Sequence, residues 1–161
     1  MNTPSPTGKR FYEDFEAGET FATAPVTVTR AMIKRFAAEY DPQAMHLDEA
    51  AASKSMFGEL IGSGWQTGVL SMRLVVDAKP FGQAPVIGLE VHSMKFLKPL
   101  KPGMRLHVTG EILEGWRSHT KALGFFKVRL ETRAEGLGPI MTQTWTVVLP
   151  ARGNPKAEDE P

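Results

Sequence analysis

After Pro80 the chain settles into a two-residue rhythm. Leu106, Val108 and Ile112 are separated by polar neighbours, and Val128, Leu130 and Thr132 stand against Lys127, Arg129, Glu131 and Arg133. Successive side chains of a strand point to opposite faces, so this alternation predicts strands with one buried face. Turn signals divide the run: Pro102-Gly103, then Gly115 with the polar stretch from Arg117 to Thr120, then Gly136-Leu137-Gly138-Pro139. Four strands of an antiparallel meander are predicted near 86–97, 104–114, 123–134 and 140–149.

The first half reads differently. TFATAPVTVT, residues 20–29, is rich in β-branched and aromatic residues, and Pro25 restricts it to an edge strand or a bulge. Thr29 can cap a helix through AMIKRFAAEY, in which Met32, Ile33, Phe36, Ala37 and Tyr40 share a face. Pro42 pushes Asp41 out of helical geometry and ends that helix. A short second helix is expected in DEAAASK, with Asp48 as its cap. The segment from Gly64 to Ala78 is apolar around most of its circumference, through Val69, Leu70, Leu74 and Val75. Such a helix needs protein on all sides. A sheet with one apolar face that curls around it buries both, so the expected class is α+β, in a single domain.

Composition bounds this picture. The 161 residues, 42% apolar, are enough for one real core, and 19 basic against 18 acidic residues leave a formal charge of +1. That well-mixed balance gives no footprint for nucleic acid or an anionic membrane. The absence of cysteine removes disulfides, thiolate nucleophiles and sulfur-ligated metals. No run approaches the ~20 apolar residues of a membrane span, and the N-terminus lacks a signal-peptide core, so a cytoplasmic protein is expected. Residues 1–8 and 151–161 read as flexible tails around a folded domain at 9–150.

Four histidines could carry chemistry. His92 alternates with Met94 and Phe96 on an apolar strand face, which assigns it to packing. His107 and His119 read as solvated. His46 lies five residues after Asp41 in YDPQAMHLDE, where Pro42 forbids regular helix. A loop closing over that span could bring carboxylate and imidazole together, although spacing alone also fits a helix end followed by an exposed histidine. In Ile61-Gly62-Ser63-Gly64-Trp65-Gln66, Ser63 and Gln66 have the form of a capping box at the start of the apolar helix. The Gly64 N–H still has no intrahelical acceptor, and the missing side chain lets a ligand approach the backbone. An acid/base pair together with such an amide suits moving a proton next to a carbonyl.

DPQAMHLDEAAA, residues 41–52, with FGELIGSGWQT, residues 57–67, resembles the MaoC-like dehydratases, the (R)-specific enoyl-CoA hydratase branch of the hotdog superfamily. The later FLKPLKPG, residues 96–103, is similar to the same family's strand and turn. The resemblance implies a hotdog fold, an antiparallel sheet wrapped around a long central helix, and a homodimer joined edge to edge or a higher homo-oligomer of such dimers. It implies reversible hydration of a trans-2-enoyl-CoA thioester to a (R)-3-hydroxyacyl-CoA, with no cofactor or metal beyond the CoA of the substrate. Asp41 and His46 would activate water, and the Gly64 N–H would bind the thioester oxygen. Ser63, Gln43 and Trp65 would lie beside the substrate. Gln43 and Ala44 replace the family's commoner asparagine and proline, and Ser63 replaces a histidine, changes expected to act on pocket shape and substrate preference. Met45, Met56, Trp65 and Met72 are candidate lining residues, with core packing the competing assignment. A hotdog thioesterase and a non-catalytic acyl-CoA-binding subunit are the competing readings.

Overall fold

The computed structural model describes residues 10–85 and 87–153. Two short strands, β1 (Thr20–Ala22) and β2 (Val26–Thr27), lead into helix α1 (Arg30–Tyr40), the single turn α2 (Ala44–Leu47), α3 (Glu49–Ser53) and the long helix α4 (Gly64–Ala78). Four strands follow: β3 (Ile87–Phe96), β4 (Arg105–Arg117), β5 (Leu123–Ala134) and β6 (Gly138–Pro150). The six strands make one antiparallel sheet in the order β1-β4-β5-β6-β3, with β2 also paired to β4. The fold is the hotdog arrangement.

The sheet closes on α4 through its inner face. Leu74 and Val75 of the helix share a core with Val108 and Ile112 of β4, Phe126, Val128 and Leu130 of β5, and Trp145, Val147 and Leu149 of β6. Alternate residues of each strand meet the helix, as the period-two pattern requires. A second core joins Val28, Ile33 of α1, Ala52 of α3 and Leu60 to Leu100, Leu106, Ala134 and Ile140. It anchors the α1–α3 block at one end of the sheet, beside the start of α4.

Local chemistry sets the boundaries. The Thr29 side chain accepts from the Met32 N–H at 3.1 Å, and that of Asp48 accepts from the Ala51 N–H, so both predicted caps are in place. Of the expected apolar face of α1 only Ile33 and Ala37 are buried, and Tyr40 is exposed. The predicted early strand is broken at Pro25 into β1 and β2.

Two expectations need correction. The extra residues Leu89 and His92 are bulges in β3, because Gly88 and Glu90 pair with the consecutive Val147 and Thr146, and Val91 and Ser93 with Trp145 and Thr144. Each bulge resets the alternation. His92 therefore leaves the face of Met94 and Phe96, and its Nε2 lies 2.6 Å from the Thr146 hydroxyl. The ordered chain also runs past the expected limit at residue 150: Ala151 is buried, and Arg152 pairs with Asp14 at 2.7 Å. The remaining tail residues, 1–8 and 154–161, lie outside the described residues, as does Lys9 at the expected start of the domain. Among those described, no helix is long and apolar enough to cross a membrane.

Candidate active site

Pro42 stops α1, but the chain after it does not form an open loop. It makes the single turn α2, which carries His46 inward until only 3% of the residue is exposed. The reading in which His46 is a solvated group at a helix end is thereby excluded. Its Nδ1 lies 2.8 Å from the Ile61 carbonyl oxygen. A carbonyl only accepts, so Nδ1 carries the hydrogen, and in the neutral ring Nε2 keeps a lone pair. That Nε2 faces Asp41 Oδ2 at 3.5 Å.

Asp41 is held from its other side. Gln43 Nε2 donates to Asp41 Oδ1 at 2.7 Å. The Ser63 hydroxyl first, then the Gln43 amide, hold the Asp41 carboxyl below the ordinary aspartate range against an opposing effect of burial. Ser63 also accepts from the Trp65 N–H at 3.3 Å. One hydroxyl thus favours the ionised carboxylate and caps α4.

The strap from Ile61 to Trp65 organises the site. The Ile61 carbonyl fixes the imidazole, and the Gly62 N–H donates to the Leu100 carbonyl at 2.7 Å. A Cβ on Gly62 would lie 2.7 Å from Leu100 Cδ2, so glycine permits this close approach. The expected capping box is not formed: Ser63 caps α4 through the Trp65 N–H instead of the Gln66 N–H. Gln66 does not return to Ser63; its Nε2 donates instead to the Met32 carbonyl at 3.0 Å, which ties the start of α4 to α1. The first helical amide, Gly64 N–H, has no hydrogen-bond partner among the described residues.

Asp41, His46, Gln43, Ser63, Gly64 and Trp65 all line one cavity of about 440 Å³. Met45 borders it too, whereas Met72 borders a separate apolar cavity beside β3, and Met56 is 92% exposed on the surface. Sequence reasoning missed Phe96 in this site. A Cβ on Gly64 would lie 2.6 Å from Phe96 Cδ1, and the Phe96 ring meets the Trp65 ring edge-on at 6.0 Å. Gly64 is therefore required by its neighbour as well as open to a ligand. The signal was FLKPLKPG, whose first residue is this aromatic.

The family model described as the MaoC like domain matches residues 14–132. The chain belongs to the MaoC-like family. It is 37% identical over 120 residues to the uncharacterized protein YdeM of Bacillus subtilis, covering 74% of this chain and 84% of that one. The MaoC-like dehydratase from Rhodospirillum rubrum superposes with a TM-score of 0.80 at 34% identity, over 89% of this chain and 98% of that one. The (R)-hydratase PhaJ1 from Pseudomonas aeruginosa superposes with a TM-score of 0.71 at 23% identity, over 89% and 88%, and shares the fold. Solved structures with this fold include proteins named as a MaoC-like dehydratase and as (R)-hydratases.

Proposed function

We propose that this MaoC-like protein reversibly hydrates a trans-2-enoyl-CoA thioester to a (R)-3-hydroxyacyl-CoA, without a cofactor beyond the CoA of the substrate. The observation that carries the reading is the convergence of Asp41, His46 and an unpartnered Gly64 N–H on one cavity.

The geometry supports a simple sequence of steps. Ionised Asp41 and the Nε2 lone pair of neutral His46 are both acceptors, so they cannot bond each other directly. A water whose two hydrogens point at the two groups satisfies both and turns an oxygen lone pair outward. As that oxygen bonds to the substrate β-carbon, the π electrons move toward the thioester and charge grows on its carbonyl oxygen. The Gly64 N–H and the positive end of α4 stabilise that charge. One proton leaves the water for the dyad, and a proton is delivered from the dyad to the α-carbon, which restores the thioester. Dehydration is the same path reversed. Which of the two groups holds each proton belongs to the pair rather than to one residue.

A homodimer fits the exposed surface. β3 is an open edge carrying exposed Ile87, Leu89, Val91 and Phe96, and α4 exposes Val69 and Val76. An apolar, unpaired edge calls for cover, which supports the edge-to-edge dimer implied by the family resemblance. The test of function is loss of conjugated enoyl absorbance when purified protein meets a short enoyl-CoA in water. Asp41→Asn and His46→Ala should each lower kcat/KM by about 10²–10⁴-fold. Wild-type rates in both variants would refute the assignment of the dyad.

A further inference from the structure

The second cavity, about 450 Å³, lies between α4 and the β3–β6 pair and is bordered by Trp65, Val69, Met72, Met94, Gln143 and Trp145 among others. Its wall is apolar except at a few positions, and one of these is anomalous. Gln143 is 2% exposed, and its Nε2 has no hydrogen-bond partner. The orientation of that amide is fixed by chemistry. The Trp145 indole Nε1–H can only donate, and it lies 3.0 Å from Gln143 Oε1. The oxygen must face the indole, which leaves the NH₂ group as the orphan. A buried donor without an acceptor is destabilising, so its retention beside a cavity calls for a partner that arrives there.

Trp65 borders both cavities, so the second begins where the site containing the dyad ends. Val69 and Met72 stand five and eight residues along α4 from Gly64. At about 1.5 Å of rise per residue they lie roughly 7 and 12 Å along the helix from the amide proposed to hold the thioester. An acyl arm of several carbons reaching away from that amide spans this interval.

We propose that the α4–β3–β6 cavity takes the acyl arm of the substrate and that Gln143 Nε2 donates to an oxygen on that arm, so that the preferred acyl group is oxygenated rather than a plain alkyl chain. The inference rests on the hydratase reading for the identity of the ligand's other end. Gln143 is then a specificity-determining residue. An oxygen acceptor completes the amide's hydrogen bonding, whereas a methylene placed there leaves it buried and unpaired, and discrimination of this polar kind is the strong kind.

The test uses medium-chain acyl-CoA pairs that are identical except that one chain methylene is a carbonyl. Binding of the saturated pair is measured by calorimetry, and hydration of the corresponding enoyl pair by absorbance. Wild-type protein should favour the carbonyl member at least tenfold in both assays. Gln143→Met removes the donor and should abolish the preference. Gln143→Glu keeps an oxygen for Trp145 while replacing the donor, and should abolish it too, which separates the orphan amide from any role in supporting the indole. Melting temperatures identify a variant that has lost its fold. Equal affinity for both members in wild-type protein overturns the inference, whether or not enoyl-CoA is hydrated. So does a change in dimer dissociation, in place of acyl preference, on substituting Gln143, because a second copy would then supply the acceptor. Preferential binding without turnover of any enoyl-CoA leaves the inference standing and removes the hydratase reading instead.

Discussion

Gly64→Ala separates two reasons for a glycine at the start of α4. The added Cβ would lie 2.6 Å from Phe96 Cδ1 and 2.7 Å from Cε1, roughly 0.8 Å short of ordinary contact at 3.4 Å. Phe96 is 53% exposed, so its ring can swing toward solvent, and the overpacking penalty falls at the low end, about 1 kcal/mol. Moving the ring also gives up its edge contact with Trp65, worth about 0.5–1.5 kcal/mol. Alanine's better helix propensity offsets up to about 1 kcal/mol, and less at the first helical residue. The clash and the lost contact therefore outweigh the gain, for a net loss of about 1 kcal/mol and a fall in Tm of about 2–4 °C. The kinetic effect should be larger. A methyl group beside the amide that receives the thioester oxygen obstructs the shortest approach, and loss of one such donor lowers kcat by about 10²–10³-fold. Phe96→Ala makes the comparison decisive. In that background Gly64→Ala should no longer lower Tm, but should still lower kcat/KM relative to Phe96→Ala alone. Equal kcat/KM for the single and double variants would show that the glycine serves Phe96 only, and the Gly64 amide would lose its assigned role.

Ser63→Ala removes the donor that contributes most to the depression of Asp41. A carboxylate with a folded pKa below its unfolded value contributes stability that is fully present above about pH 4 and disappears as pH falls through the folded value. The variant should narrow that window and move the acid limb of the kcat/KM profile toward higher pH; an unmoved limb would detach Ser63 from Asp41. The lost cap should add about 1 kcal/mol of destabilisation at neutral pH, read from the urea midpoint. Deeper in the fold, Ser71 donates to the Thr67 carbonyl at 2.7 Å and meets the buried Thr132 hydroxyl. Ser71→Ala should cost about 1–3 kcal/mol by stranding Thr132, and Ser71→Ala with Thr132→Val should cost less than the single change, as measured by urea unfolding.

Much of the fold was legible because it follows from periodicity. β4, β5 and β6 begin and end within a few residues of the expected limits, since alternation and Gly/Pro turns act locally. The site was legible in its residues but not in its enclosure. Nothing local to YDPQAMHLDE says that His46 is buried, because burial follows from the Ile61 carbonyl fifteen residues away and from the core that seats α1 and α3 beside it. The β3 bulges escaped for a related reason. An extra residue is defined by the strand it pairs with, so His92 could be placed correctly only against Thr146 of β6.

The same distinction explains why Gln66 and Gln143 behaved so differently from their sequence context. Gln66 sits where a capping box is expected, yet its amide is drawn across to the Met32 carbonyl, since a tertiary acceptor on α1 competes with the local one. The capping function then falls to Ser63 alone, whose remaining hydrogen is free for Asp41. The helix start is thus stabilised by the same hydroxyl that tunes the carboxylate, and a change made for stability at residue 63 acts on the chemistry as well. Gln143 shows the converse. It stands on the buried face of β6, but Trp145 takes its oxygen and leaves a donor that no residue of the described chain satisfies. In the first case folding uses the NH₂ group and leaves Gln66 Oε1 buried without a partner; in the second it uses the oxygen and leaves a donor, and it is that donor, beside the second cavity, that points to substrate preference.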